Sequence, residues 1–260
     1  MKLAIIGCGN LGTSILKGVQ SNSDIQHIWA TKRNTDSIRQ FESEKVSITS
    51  NNVKACENAS HIVLGLKPYN ILPILQEISA QVDLSGKTII SLATGVTTTT
   101  IAEVVGAKNI IYRAMPNIAA SVHESVTCIC GLNNTPSTNR EVDLVFQSIG
   151  KQFYIDEANM DAATVLGACG TAFVLRFVRA MTQAGIEIGF DAQTAGKIVE
   201  QTVLGAAQLM GQTGLHPEEL IDQVTTPKGC TIAGLNDMEH NGFSSALIKG
   251  INGSFKALQD

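Results

Sequence analysis

Charge is scarce in this sequence: Asp, Glu, Lys and Arg make up 16% of its 260 residues, against 44% that are apolar. That balance excludes a highly solvated, disordered chain and predicts a compact globule with part of its surface hidden in an oligomer. The net charge of -4 argues against nucleic acid or an anionic membrane as the main partner, so a small anionic ligand must be met by local groups. Regular cysteine spacing is missing as well. Cys8, Cys56, Cys128, Cys130, Cys169 and Cys230 form no C-x-x-C pair, which excludes a disulfide framework and fits a reducing compartment, with the cytoplasm as default. Cys128 and Cys130 would share one side of a strand near His123, but a second ligand pair is lacking and no metal site is expected. No apolar run appears long enough to span a bilayer. The run at residues 3–6 is too short for a signal segment and leads into a glycine motif.

What is present begins with that motif. Lys2-Leu-Ala-Ile-Ile-Gly7 reads as a buried parallel strand, and Gly7-Cys8-Gly9-Asn10-Leu11-Gly12 follows at once, before Ile15, Leu16 and Val19 recur at helical spacing. A G-x-G-x-x-G between strand and amphipathic helix predicts a dinucleotide turn. Gly7 permits the bend, Gly9 admits the pyrophosphate and Gly12 lets helix and strand pack closely. The second strand, residues 27–31, ends in Thr31, Lys32 and Arg33, where an NAD enzyme usually places an acidic residue. Two cations and a hydroxyl suit a 2′-phosphate, so NADP is favoured, with NAD as the alternative.

Strands and helices then alternate. A helix is expected over residues 34–44, strands over 46–48, 61–66, 88–92 and 110–115, and helices opening at Asn51-Asn52, Ile71 and Thr97. Two more strands, near 125–130 and 152–155, flank a helix over 138–149. This spacing predicts an α/β fold, a Rossmann-type doubly wound parallel sheet, over residues 1–156. Lys67-Pro68 closes a strand where the switch-point crevice should lie. From residue 157 to 260 no strand is expected. Helical patterns rich in Gly and Ala, as at Gly167, Gly170, Gly196 and Gly205, point to closely packed or interleaved helices.

The most informative stretch is Val224-Thr225-Thr226-Pro227-Lys228-Gly229-Cys230-Thr231. Pro227 fixes the entry to a turn, Gly229 lets the backbone approach a ligand, and a helix follows. Free N–H groups at a helix start, with the Thr231 hydroxyl beside them, suit a small carboxylic acid; an ordinary helix start capped by Thr is the plainer alternative.

In their order along the chain, Gly7-x-Gly9-x-x-Gly12, Leu66-Lys67-Pro68, Ser91-x-Ala93-x-Gly95-Val96, Arg113-x-Met115-Pro116-Asn117, His216-Pro217 and the stretch around Thr231 resemble the pyrroline-5-carboxylate reductases. This resemblance implies a Rossmann domain followed by an all-helical C-terminal dimerisation domain, assembled as a homodimer or a ring of dimers. It implies NADPH-dependent reduction of a cyclic imine to proline. The cofactor would lie on Ile6, Gly7, Cys8, Gly9, Asn10 and Leu11, on Thr31, Lys32 and Asn52, on Gly65, Leu66, Lys67 and Pro68, and on Leu92, Ala93 and Thr94. Gly12, Arg33 and Asn117 join that set through the glycine motif, the basic strand end and the Pro116-Asn117 motif. Substrate would lie against Thr226, Lys228, Gly229, Cys230 and Thr231. The chain departs from the family where Ser-Gly-Ser-Gly-Pro-Ala-Tyr becomes Gly167-Ala-Cys-Gly-Thr-Ala-Phe173, where Pro-Asn-Thr-Pro becomes Pro116-Asn117-Ile118-Ala119, and where the first glycine of a Gly-Gly pair is Lys228.

Hydride transfer to a protonated imine needs an anchored carboxylate and little else. N–H groups of Gly229, Cys230 and Thr231 are expected to hold the acid, with the Thr231 hydroxyl on the ring nitrogen as the catalytic contact. No His, Asp or Glu stands out as a proton donor, and His216 reads as a helix-start residue. Three other readings share parts of this pattern: a related NADP-dependent reductase of another cyclic imino acid or keto acid, a non-enzymatic NADP-binding regulator, and a purely structural helical oligomer.

Overall fold

The computed structural model describes residues 1–259 and divides into two compact units, Met1–Cys169 and Gly170–Asp260. In the first, eight short strands form one sheet: β1 (Lys2–Ile6), β2 (His27–Thr31), β3 (Val46–Thr49), β4 (His61–Leu64), β5 (Thr88–Ser91), β6 (Ile110–Met115), β7 (Ser125–Leu132) and β8 (Gly150–Tyr154). Their spatial order is β3-β2-β1-β4-β5-β6-β7-β8. The chain winds outward from β1 in one direction, then returns to β4 on its other side. The crevice between β1 and β4 is therefore the switch point, where ligands of open α/β sheets bind beyond the carboxyl ends of the strands.

Both faces are covered, and side-chain alternation decides which residue serves which face. Leu3 and Ile5 join Ile15, Leu16 and Val19 of α1 (Asn10–Val19) and Phe146 of α5 (Pro136–Phe146). Ala4 and Ile6 join Ile71, Leu75 and Ile78 of α3 (Pro68–Ser79), with Cys56 of α2 (Asn52–Glu57) and Ile101 of α4 (Thr98–Val105). Each Leu, Ile, Val or Phe among them, taken fully out of water, contributes about 1.5–3 kcal/mol.

Two sequence expectations change. Residues 34–44 do not form a long helix; only a 3-10 turn, Asp36–Phe41, appears, with Ile38 as its one buried residue. A single apolar anchor does not hold a longer helix on the sheet. The sheet is also not wholly parallel, since β7 runs antiparallel to β6. Only a short 3-10 turn, Ile118–Val122, lies between them, and a parallel return needs a longer crossover.

The first unit ends in a short helix, α6 (Met160–Ala163), and a π-helical turn, Thr164–Cys169. Met160, Thr164 and Val165 are buried, which is why the compact unit runs on to Cys169.

Among its described residues the second unit has helices and no strand: α7 (Gly170–Glu187), α8 (Ala192–Thr213), α9 (Pro217–Val224), α10 (Cys230–His240) and α11 (Phe243–Gln259). Asp191 caps α8 by accepting from the N–H groups of Gln193 and Thr194. Gly185 of α7 lets α8 approach, since a Cβ there would lie 3.0 Å from that of Ala195. Yet α7, α9, α10 and α11 bury no residue, and α8 buries only Ala195 and Val199. One further expectation is corrected here. The helical stretch Glu157–Glu187, 31 residues with an 18-residue window of mean hydropathy 1.4, is by length and composition alone enough to cross a membrane. Gly167 lies within the π turn and Gly170 opens α7, so neither ends the helical run.

Candidate functional site

Gly7 and Gly65, just past the ends of β1 and β4, interlock with Gly12 of α1 at the switch point. Gly7, at φ +90°, has a conformation that L side chains rarely adopt, and a Cβ there would lie 2.9 Å from the Gly65 carbonyl oxygen. A Cβ on Gly12 would stand 2.5 Å, and one on Gly65 2.7 Å, from the Gly7 carbonyl oxygen. Gly9 is different: nothing lies within 4 Å of its absent Cβ. It caps α1 without any side-chain hydrogen bond, so the first-turn amides and the positive end of the helix dipole are left for an anion.

A cavity of about 820 Å³ opens on this turn. Of the expected cofactor residues, Gly7, Cys8, Gly9, Asn10 and Leu11 line it, with Thr31, Lys32, Arg33, Asn52, Gly65, Leu66, Lys67, Pro68, Leu92, Ala93 and Thr94. Ile6, Gly12 and Asn117 lie outside its lining. Ile6 is a core residue of β1 and Gly12 packs on Gly7. Asn117, almost fully buried, accepts from the Ala119 N–H and donates from Nδ2 to the Gly167 carbonyl (3.0 Å).

Asn34, Ser50, Asn70 and Ile74 also line the cavity, and sequence reasoning missed them. A positional signal existed. Asn34 and Ser50 lie just past the carboxyl ends of β2 and β3, and Asn70 and Ile74 lie on α3 beyond Lys67-Pro68; these are the places where a doubly wound sheet presents its loops.

At the basic strand end, Lys32 Nζ donates to Ser37 Oγ (2.8 Å) while Arg33 and Asn34 are exposed. Burial pushes the Cys8 thiol up to about 12, which keeps a charged sulfur away from the turn. Cys128 and Cys130 are likewise raised by burial. Among the described residues no group of three His, Cys, Asp or Glu could hold a metal ion.

The stretch around Thr231 folds as a turn into α10. Gly229 is the N-cap and has no side-chain partner, so Cys230 and Thr231 occupy the first two helical positions and the Thr231 side chain is not the cap. Gly229 differs from expectation in one respect: its N–H is given to the Thr226 carbonyl (2.9 Å) and does not point to a ligand. The glycine is needed for that turn, because a Cβ would meet Thr226 Oγ1 at 2.6 Å. Lys228 sits at φ +61°, a left-handed backbone that costs an ordinary residue about 1 kcal/mol or more. His216 is the N-cap of α9 and accepts at Nδ1 from the Glu218 N–H (3.3 Å).

Residues 157–260 match the pyrroline-5-carboxylate reductase dimerisation family, and residues 2–95 match a family described as NADP oxidoreductase, coenzyme F420-dependent. Pyrroline-5-carboxylate reductase 2 of Dictyostelium discoideum is 39% identical, over 96% of this chain and 89% of its own length. Reductase 1 of the same organism is 38% identical, and there the match takes in 96% of this chain but only 48% of the relative. A pyrroline-5-carboxylate reductase structure from Coxiella burnetii superposes with a TM-score of 0.92 at 27% identity, covering 99% of this chain and 97% of that one. The Plasmodium falciparum pyrroline carboxylate reductase with NADP bound gives 0.86 at 26%, covering 99% and 97%. Fold, glycine turn and family matches define an oxidoreductase built on a Rossmann dinucleotide domain followed in sequence by a helical dimerisation domain. Within that class, the chain belongs to the pyrroline-5-carboxylate reductase family.

Proposed function

We propose that this chain reduces 1-pyrroline-5-carboxylate to L-proline with NADPH. The observation that carries the reading is the reach of the likeness, which includes the glycine turn and the helical unit together rather than the nucleotide half alone. Residues 1–156 serve as the dinucleotide domain and residues 157–260 as the substrate and dimerisation domain.

The cavity residues fit the cofactor. Open space at Gly9 and the uncapped first turn of α1 suit a pyrophosphate, and Lys32 and Arg33 bring positive charge for a 2′-phosphate. When bound, the reduced nicotinamide supplies a hydride. On the substrate side, the N–H groups of Cys230 and Thr231 at the start of α10 hold the carboxylate, and the Lys228 ammonium adds charge beside them. Thr226 and Gly229 shape the turn that presents these donors. The Thr231 hydroxyl accepts from the protonated ring nitrogen and so orients the imine carbon. A protonated imine is already electrophilic, so no side-chain acid is needed, and His216 stays a helix cap.

The unburied faces of α7, α9, α10 and α11 support a homodimer or a ring of dimers, in which copies of the chain cover exposed apolar residues such as Leu166, Val174 and Leu175. Six free thiols favour the cytoplasm. The test is NADPH oxidation with 1-pyrroline-5-carboxylate, run beside NADH: faster turnover with NADPH is expected, and no turnover with either would overturn the reading. The altered segment from Gly167 to Phe173, which opens in a π turn, favours a second reading, a reductase of another cyclic imino acid. Preferential turnover of a six-membered imino acid would select it.

A further inference from the structure

The geometry points to Thr31 as a positioning residue of the glycine turn, not a ligand of the cofactor's 2′-phosphate. Its hydroxyl accepts from the Gly7 N–H (3.1 Å) and donates its single proton to Asn52 Oδ1 (2.7 Å), while its carbonyl accepts from the Cys8 N–H (2.7 Å). Thr31 is 1% exposed. Two consecutive amides of the turn therefore hang on one residue of the neighbouring strand, and Asn52, the first residue of α2, fixes that residue's rotamer. A hydroxyl with its proton already committed has none to give to a phosphate oxygen.

The charged contacts at this end come from elsewhere. Lys32 gives one ammonium proton to Ser37 and keeps two. Arg33, Asn34 and Ser50 border the same cavity. Discrimination between the two dinucleotides thus falls to these residues, and Thr31 with Asn52 holds the turn that both dinucleotides share. This inference rests on the reading of the cavity as an NADP site.

The experiment is calorimetric titration of the full-length protein with NADPH and with NADH, together with melting of the nucleotide-free protein. Thr31→Val, which keeps the shape and removes the hydroxyl, is expected to weaken both dinucleotides by the same factor, about tenfold, and to lower the melting temperature without any ligand. Thr31→Ser restores both. Lys32→Met weakens NADPH alone. Asn52→Ala copies the Thr31→Val pattern, and the double variant is no weaker than the worse single one, because both remove one clamp. If Thr31→Val does not fold, Asn52→Ala carries the test with the same expected equality. A loss confined to NADPH in Thr31→Val or Asn52→Ala, unchanged affinities, or additive losses would overturn the assignment. A native protein that binds neither dinucleotide would overturn the cofactor reading as well, a result no variant could mimic.

Discussion

Gly9 and Gly12 stand three residues apart in one motif, yet a methyl group meets opposite surroundings at each. At Gly12 it would be driven to 2.5 Å from the Gly7 carbonyl, a backbone atom that cannot swing aside, so Gly12→Ala should destabilise the protein by about 1–3 kcal/mol. At Gly9, with φ −73° and open space, alanine is free of strain. Gly9→Ala should melt within about 0.5 kcal/mol of the native protein while losing dinucleotide affinity by about tenfold or more, if the methyl fills the place proposed for the pyrophosphate. Thermal unfolding and NADPH titration on the same two proteins separate packing from binding. Thr231 calls for a kinetic reading. Its hydroxyl is free of the capping role, so Thr231→Ala should lower kcat/KM for the imine about 10- to 100-fold, the worth of a hydrogen bond to a charged group, with NADPH affinity unchanged.

Between elements, the most consequential contact is made by Glu157. Its carboxylate accepts from the Thr98 N–H (2.8 Å) and hydroxyl (2.6 Å) at the start of α4 and from Arg113 Nη1 (2.9 Å) on β6. It thereby joins the segment ahead of α6 to a helix start and to a strand. Arg113 is buried, and its Nε has no partner, so Glu157 is what offsets that charge. Glu157→Ala removes the acceptor of the Thr98 N–H and hydroxyl in the first turn of α4 and leaves a buried cation unpaired, a loss of roughly 3 kcal/mol. Burial pushes the Glu157 carboxyl upward, but the bonds from Thr98 and Arg113 outweigh it and hold the carboxyl below its ordinary value of 4.5. A depressed acid stabilises the fold fully above 4.5 and loses that contribution as pH falls through the lower folded value. The gap in melting temperature between the native protein and Glu157→Gln should therefore be constant near neutrality and narrow only as the pH falls below 4.5.

At the scale of the molecule, the two units differ in kind. The sheet unit buries both faces of its strands, whereas the helical unit leaves Val174, Leu175, Ile198, Leu204, Leu247 and Ile248 exposed within one chain. Apolar surface on that scale belongs under another copy of the chain. Light scattering should give a dimer or a larger ring. Leu175→Glu, which puts a charge where about 2 kcal/mol of burial is gained, should shift the population toward monomer and abolish turnover while dinucleotide binding persists.

The sequence by itself determined the strand-turn-helix at Gly7 to Gly12, the alternation of the sheet unit and the strand-free second half, because these rest on local periodicity and on glycine's backbone freedom. It also placed Lys67-Pro68 at the switch point, through the Rossmann pattern that the glycine motif and the strand-helix alternation together define. Only the tertiary structure decided that β7 turns back antiparallel, that the Thr31 hydroxyl is committed to Gly7 and Asn52, and that the Gly229 N–H belongs to Thr226. A hydroxyl or a backbone N–H has one proton to give, and which acceptor takes it depends on what the fold brings within about 3 Å of it, a distance that residue order does not contain.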